Sequence, residues 1–197
     1  MVQMALNTLG STYVAAFTAA SKCEQMAGQA YIALGSAIAT FAAQNVGAGR
    51  YDRVRKGFAR TTEFGFIFSI VMGFIMYFFG YVVTGLFVSG DASALEGMVD
   101  VYMKFTALFL FPLTIVNVYR NGIQGMGYGL LPMMAGVAEL VGRGSVALIA
   151  IHYHSYNGVC LASPMAWILA SALLLTMYFA IMRKHPVRKN GENTLDK

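Results

Sequence analysis

Long, almost uncharged stretches of this chain alternate with short polar segments, and each stretch has about the length of a membrane crossing. A transmembrane helix needs about 20 consecutive, mostly apolar residues. On that basis the pattern predicts six spans, at residues 1–21, 25–46, 62–88, 97–124, 131–153 and 159–182. The predicted fold class is therefore an all-α, polytopic bundle of about six transmembrane helices, with residues 1–183 as one domain. The basic segment that follows, 184–197, is predicted to be a disordered cytosolic tail.

Two local features predict where this bundle turns and bends. Lys22 and Glu24 interrupt the apolar pattern near the N-terminus and predict a short turn between the first two spans. Pro112 lies inside the fourth span, where its ring removes one backbone hydrogen bond. A kinked fourth helix is therefore expected.

Most lysines and arginines lie in two groups, and each group directly follows an apolar stretch. One group occupies residues 50–60 and the other begins at Arg183. Under the positive-inside rule, such clusters mark the cytosolic ends of membrane spans. Counting six spans from residues 50–60 places both termini in the cytosol. We therefore expect an integral multi-pass protein of the cell membrane, specifically of a bacterial inner membrane.

Composition favours a membrane protein over a soluble one. Of the 197 residues, 57% are hydrophobic and only 12% are charged, and the mean hydropathy is +0.59. Soluble domains average about 45–50% apolar and 25% charged residues. The net charge of +5 arises from clusters beside the spans and not from a basic folded surface. The lipid bilayer is therefore the expected surrounding partner, and no nucleic-acid partner is predicted.

The sequence contains no motif that predicts an enzyme or a metal site. Nucleophile-elbow, zinc-protease and phosphate-loop patterns do not occur in it. Cys23 and Cys160 stand alone, without the CxxC spacing of a zinc site. His152 and His154 lack a suitably spaced carboxylate. We therefore expect no enzymatic activity, no metal and no bound cofactor.

A row of small residues in the second span predicts close packing against another helix. Its members recur every four positions and are Gly35, Ala39, Ala43 and Gly47. Small side chains at this spacing form a flat helix face that a second backbone can approach closely.

Charged and polar side chains inside the predicted spans are the candidate functional residues, because each charge at mid-membrane costs about 2.5–3.5 kcal/mol. Glu139 and Arg143 are four residues apart on one helix face and can form an ion pair. That pair either borders a polar pathway or braces the fifth span. Arg120, beside Asn117 near the inner end of the fourth span, either lines a vestibule or extends towards the membrane surface. Asn7 is a further candidate, because the polar first span suits a bundle interior.

Three segments of the chain resemble one transporter family. Residues 42–55, AAQNVGAGRYDRVR, resemble the Q-x-x-G-A-G-x-(Y/D) segment of multidrug and toxic compound extrusion (MATE) transporters. In that family the segment ends the second helix of the C-terminal lobe. Residues 119–128, YRNGIQGMGY, resemble the end of the fourth helix of the same lobe, and residues 139–143 resemble a polar position on the fifth. The resemblance extends over residues 1–183.

The resemblance implies an exporter of about twelve helices in two similar lobes, of which this chain supplies one. Such exporters expel organic, often cationic compounds in exchange for a coupling ion, either sodium or a proton. A second lobe, as a separate chain or a second copy, is then an expected partner. Of the acidic residues, only Glu139 is predicted to lie deep in the membrane.

Two alternatives to this interpretation stay open. A lipid-precursor flippase of the same superfamily would need a cationic cavity for a diphosphate, and only Arg120 and Arg143 are available for it. A truncated membrane protein without transport activity is the other alternative.

Overall fold

The computed structural model describes residues 2–85 and 95–186, and the part described is built from α-helices without strands. The helices are α1 (Val2–Leu9), α2 (Ser11–Gly47), α3 (Tyr51–Gly85), α4 (Glu96–Leu108), α5 (Leu110–Gly125), α6 (Leu130–His152) and α7 (Tyr156–Lys184). The predicted all-α membrane bundle is thus confirmed. The predicted disordered tail falls outside the described residues except for its first three positions.

Four helices of the described chain are long and apolar enough to cross a membrane, and a bent helix pair brings the number of candidate spans to five, where the sequence predicts six. Helices α2, α3, α6 and α7 each contain a sufficiently long and apolar stretch, and α4 with α5, bent by 53°, meets the same length and composition criterion only as a pair. The break in this bent span lies at Phe109, three residues before Pro112. Because proline has no N–H, the carbonyl of Leu108 loses its helical partner there.

The predicted turn at Lys22 and Glu24 is wrong, because α2 continues through both residues without interruption. Lysine, glutamate and glutamine favour helices, and charge alone does not end one. The chain breaks instead at Gly10, whose φ of 115° is a conformation that side-chain-bearing residues rarely adopt. The first two predicted spans are therefore the short α1 and the long α2. With 37 residues, α2 is about 55 Å long and extends beyond the hydrocarbon layer.

The two basic clusters lie together at one end of the bundle, which we call the basic end (residues 50–60 with Arg183 and Lys184). Arg55 donates hydrogen bonds from Nη2 to the carbonyl oxygens of Met182, at 2.6 Å, and His185, at 3.0 Å. The rings of Tyr51 and His185 stack with centroids 4.0 Å apart. These contacts join the start of α3 to the end of α7.

Helix α1 lies at the opposite end of the bundle. Its buried residues Ala5 and Leu6 belong to the same apolar cluster as Tyr156 and Val159, at the start of α7. The prediction that both termini lie in the cytosol assumes six spans, and it stays a prediction.

The hydrophobic core has two parts, one towards each end of the bundle. The part near the basic end is centred on the mutually packed rings of Phe58, Tyr119 and Tyr178, with centroids 4.6–5.2 Å apart. Between helices α2, α3 and α5, the buried hydroxyls of Tyr31, Ser69 and Thr114 form a chain of hydrogen bonds of 3.0 and 2.8 Å. The outward face of α3 is apolar instead, which suits contact with lipid: Phe64, Phe74 and Phe78 are each about 60% exposed.

Close packing of α2 on α5 uses half of the predicted row of small residues. A Cβ added to Gly35 would lie 2.6 Å from Nδ2 of Asn121, and one added to Gly125 would lie 2.2 Å from the carbonyl oxygen of Ala39. Ala43 and Gly47 are exposed. Each four-residue step rotates the row by about 40° around the helix, so its second half turns away from α5.

Candidate functional site

A polar cavity of about 310 Å³ lies between α2, α5, α6 and α7. The apolar part of the cavity wall includes the side chains of Ile32, Leu113 and Trp167. The polar and charged lining residues are Glu24, Gln25, Gln29, Asn117, Arg120, Glu139 and Arg143. Most of the predicted candidate residues therefore meet at this one place.

Three of these side chains form a charge triad, Arg120–Glu139–Arg143. Glu139 accepts from Nη2 of Arg120 at 2.5 Å through Oε2 and from Nη2 of Arg143 at 2.9 Å through Oε1. The Glu139 side chain is 17% exposed. The Glu139–Arg143 contact is the pair expected from a spacing of four residues on one helix. The Arg120 contact is different in kind, because it joins α5 to α6.

Both guanidinium groups contact the single carboxylate of Glu139. Each of its two oxygens therefore accepts a hydrogen bond from one arginine. Charge-assisted hydrogen bonds of this type are about twice as strong as neutral ones. Of the two arrangements considered for Arg120, the structure shows the side chain turned to the cavity and paired there. The triad accordingly both lines the cavity and ties two helices together.

Glu24 is a second acidic residue of the cavity, and sequence reasoning did not select it. Its carboxylate accepts a hydrogen bond from the hydroxyl of Tyr102, on α4. The predicted turn at this position concealed its depth in the bundle. A detectable signal was present, since the apolar residues Ala16, Ala20, Ala27 and Tyr31 continue one helical face past Glu24 and are buried.

The other polar candidates have different surroundings. Asn117 lines the cavity, while its Nδ2 donates to the Leu113 carbonyl of its own helix at 3.0 Å. Asn7 is exposed on α1, where it accepts a hydrogen bond from Gln3 at 3.1 Å, and it does not line this cavity. Among the described residues no group of three or more His, Cys, Asp or Glu side chains is arranged to hold a metal.

Comparison with known proteins identifies the family. The family model MatE matches residues 1–148. A relative described as an FAD transporter, from Shewanella oneidensis, is 25% identical over 183 residues, which are 92% of this chain and 40% of the relative. The chain thus spans about two-fifths of the length of that protein.

A solved structure has the same fold over most of the chain. It is described as "Reverse polarity of binding pocket suggests different function of a MOP superfamily transporter from Pyrococcus furiosus Vc1 (DSM3638)" and superimposes with a TM-score of 0.81. The match covers 93% of this chain and 43% of that chain, at 18% identity. With the family match over most of the sequence and several helices able to span a membrane, the chain is an integral multi-pass membrane protein that belongs to the MatE family of transporters.

Proposed function

We propose that the chain is the C-terminal lobe of a secondary transporter that exports organic compounds in exchange for sodium ions or protons. In this proposal it supplies one wall of a central cavity, has no enzymatic role and faces the cytosol with its basic end. The observation that carries the proposal is the convergence of four charged side chains, Glu24 and the charge triad, on one cavity in a membrane bundle.

Energetics support a transport role for this cavity. A charged side chain at mid-membrane costs about 2.5–3.5 kcal/mol, and such residues occur mainly where they face a solute or ion pathway. A bundle that needed only to be stable would pack better with apolar side chains at these positions. The cavity therefore has the chemistry of a binding surface for a polar or charged solute.

A second lobe is part of the proposal because alternating access needs two halves that move against each other around a binding site. This chain spans about two-fifths of the length of the relatives it matches, which fits one such half. The second lobe is either a separate chain or a second copy of this one.

The substrate is proposed to be an organic compound, often cationic, as the family resemblance implies. A lipid-precursor flippase is the second candidate, because Arg120 and Arg143 line the same cavity and guanidinium groups suit diphosphates. Both arginines are already engaged by Glu139, however, so the triad carries a net charge of only +1. The name of the Shewanella relative, an FAD transporter, shows that a phosphate-bearing solute belongs in any substrate panel.

The test is transport by the purified chain in proteoliposomes, alone and with the part of the Shewanella relative that this chain does not match, supplied as a separate chain. Efflux of ethidium, FAD and a fluorescent lipid diphosphate is measured under imposed sodium or pH gradients. We expect gradient-driven efflux of ethidium when a second lobe is present, and none from the monomeric chain. Lys104→Gln removes one charge from a 2.6 Å ion pair with Asp100 that does not line the cavity. It is the control for loss of a charge outside the cavity and should transport like the wild type.

Other outcomes contradict the proposal. Coupled efflux by the isolated monomer would remove the need for a second lobe. Movement of the lipid diphosphate without ethidium would favour the flippase. A lack of transport with every added lobe and at every protein density would favour a membrane protein without transport activity.

A further inference from the structure

Two carboxylates line the cavity, and their surroundings differ sharply. Glu139 is held by two guanidinium groups, at 2.5 and 2.9 Å. Glu24 accepts a hydrogen bond from the neutral hydroxyl of Tyr102. In the described part of the chain, no lysine or arginine nitrogen lies within 4.0 Å of the Glu24 carboxylate.

We infer that Glu24, and not Glu139, is the acidic side chain that binds and releases a single positive charge, a proton or a sodium ion, during transport. This inference rests on the proposed transport function and assigns the exchange to one residue. Protonation adds one proton to the carboxylate, while Tyr102 keeps its hydroxyl hydrogen and no other bond changes.

Glu139 is unsuited to this exchange for an electrostatic reason. A proton on its carboxylate would leave Arg120 and Arg143 facing each other across a neutral group. A metal cation would be a third positive charge in the same contact. Like charges brought together in a medium of low dielectric constant repel strongly, so the two arginines oppose the binding of a further cation at Glu139.

Glu24 has the surroundings that a cation-exchanging carboxylate needs. Only one of its oxygens carries a hydrogen bond within the described chain, and the side chain faces the cavity. Gln25 and Gln29 face the same cavity from the same helix. Their amide oxygens, with the carboxylate, offer the oxygen ligands that hard cations prefer.

The charge of the cavity supplies a route for exchange. With Glu24 ionised, the two arginines and two glutamates sum to zero, and with a cation at Glu24 the sum is +1. Because all four line one volume of about 310 Å³, a positive charge at Glu24 disfavours an organic cation in the same cavity. Entry of the small cation and departure of the substrate would thus be linked by mutual exclusion.

The groups that surround Glu24 belong to other helices of the bundle. Tyr102 lies on α4, the first half of the bent span, so the contact joins two membrane-crossing segments. Tyr156 and Cys160 on α7 belong to the same buried cluster as Tyr102. The titratable and charged groups around this position on neighbouring helices are Tyr102, Arg120, Glu139, Arg143, Tyr156 and Cys160.

Trp167 makes the inference testable without transport, because it is the only tryptophan in the chain and lines the same cavity. Its fluorescence is recorded for the purified full chain in nanodiscs, in a pH titration without sodium and in a sodium titration at fixed pH with choline as the replacement ion. We expect a saturable change in one titration. The titration that shows it identifies the ion.

Variants then assign the change to one residue. Glu24→Gln should abolish it, Glu24→Asp should restore it, and Tyr102→Phe should retain it with a shifted midpoint, because the carboxylate stays. Glu96→Gln, at an exposed glutamate that begins α4, should behave like the wild type. Circular dichroism and size-exclusion chromatography verify that each variant is folded.

The result that overturns the inference is a Trp167 response that persists in folded Glu24→Gln, or a folded wild type whose fluorescence does not respond in either titration. A different result would contradict the proposed transport function. That result is the absence of gradient-driven efflux although the Glu24-dependent change in Trp167 fluorescence is intact. Gradient-driven efflux that is equal in Glu24→Gln and wild type overturns the assignment of Glu24 alone.

Discussion

At the scale of single residues, the most informative side chain is Glu139, because the two interpretations offered by the sequence are both compatible with its geometry. It borders the polar cavity and it ties α5 to α6 through Arg120. A buried ion pair is weak support for stability as a whole, yet removal of one partner leaves an uncompensated charge. The residue should therefore be sensitive to substitution whether or not substrate contacts it.

Glu139→Gln is expected to lower the free energy of unfolding of the purified protein by about 1–3 kcal/mol, because two partly exposed arginines, 31% and 40% accessible, lose their counterion. The loss of monodisperse protein on heating, followed by size-exclusion chromatography, measures it. The matched control is Glu63→Gln. Its partner Arg60 is 2.8 Å away, but the two side chains are 56% and 75% exposed, and exposed pairs contribute about 0–1 kcal/mol. Equal stability of the two variants would contradict a structural role for the triad.

At the scale of helices, glycine has more influence on this bundle than charge. Gly10 ends α1, whereas Lys22 and Glu24 do not interrupt α2. Gly125 allows the backbones of α2 and α5 to touch, since no side chain would fit against Ala39. In membranes, where lipid is as apolar as leucine, such close packing is a main source of helix association.

Gly125→Ala is expected to destabilise the α2–α5 contact, because the new Cβ would lie 2.2 Å from the Ala39 carbonyl oxygen and the helices would have to separate. Overpacking of this kind costs about 1–3 kcal/mol, measurable as a lower melting temperature of the purified chain. Gly136→Ala, within α6, adds the same methyl group where nothing lies within 4 Å. Its stability should equal or slightly exceed that of the wild type, and an equal loss in both variants would rule out the packing explanation.

At the scale of the whole molecule, the arrangement of charge indicates how the chain sits in its membrane. Residues 50–60 and the end of α7 meet at one end, held by the hydrogen bonds of Arg55. The described opposite end contains α1, the start of α4 and the start of α7. With clusters of lysine and arginine at only one of these ends, the positive-inside rule favours that end in the cytosol.

Cysteines introduced at Arg53 and Lys184 are expected to react with a membrane-impermeant maleimide only after the cells are opened. Cysteines at Met4 and Gly97, both exposed at the opposite end, should react in intact cells. Cys23 and Cys160 are buried and are replaced by alanine in all variants. Labelling of Arg53 from outside would invert the topology, and labelling of Met4 and Lys184 from the same side would contradict the crossing of the membrane by α4 and α5 as one bent span.

The sequence by itself determined the membrane class, the all-α fold and the transporter family, because these depend on composition, on runs of apolar residues and on contiguous motifs such as residues 42–55. The proximity of Glu139 and Arg143 was equally local, since a spacing of four residues specifies it within one helix. Only the tertiary structure decided that Arg120 pairs with Glu139, that Glu24 faces the cavity and that α1 and α2 replace two full spans. These features depend on the rotation and depth of each helix against its neighbours, which the packing of the whole bundle sets and no short segment encodes.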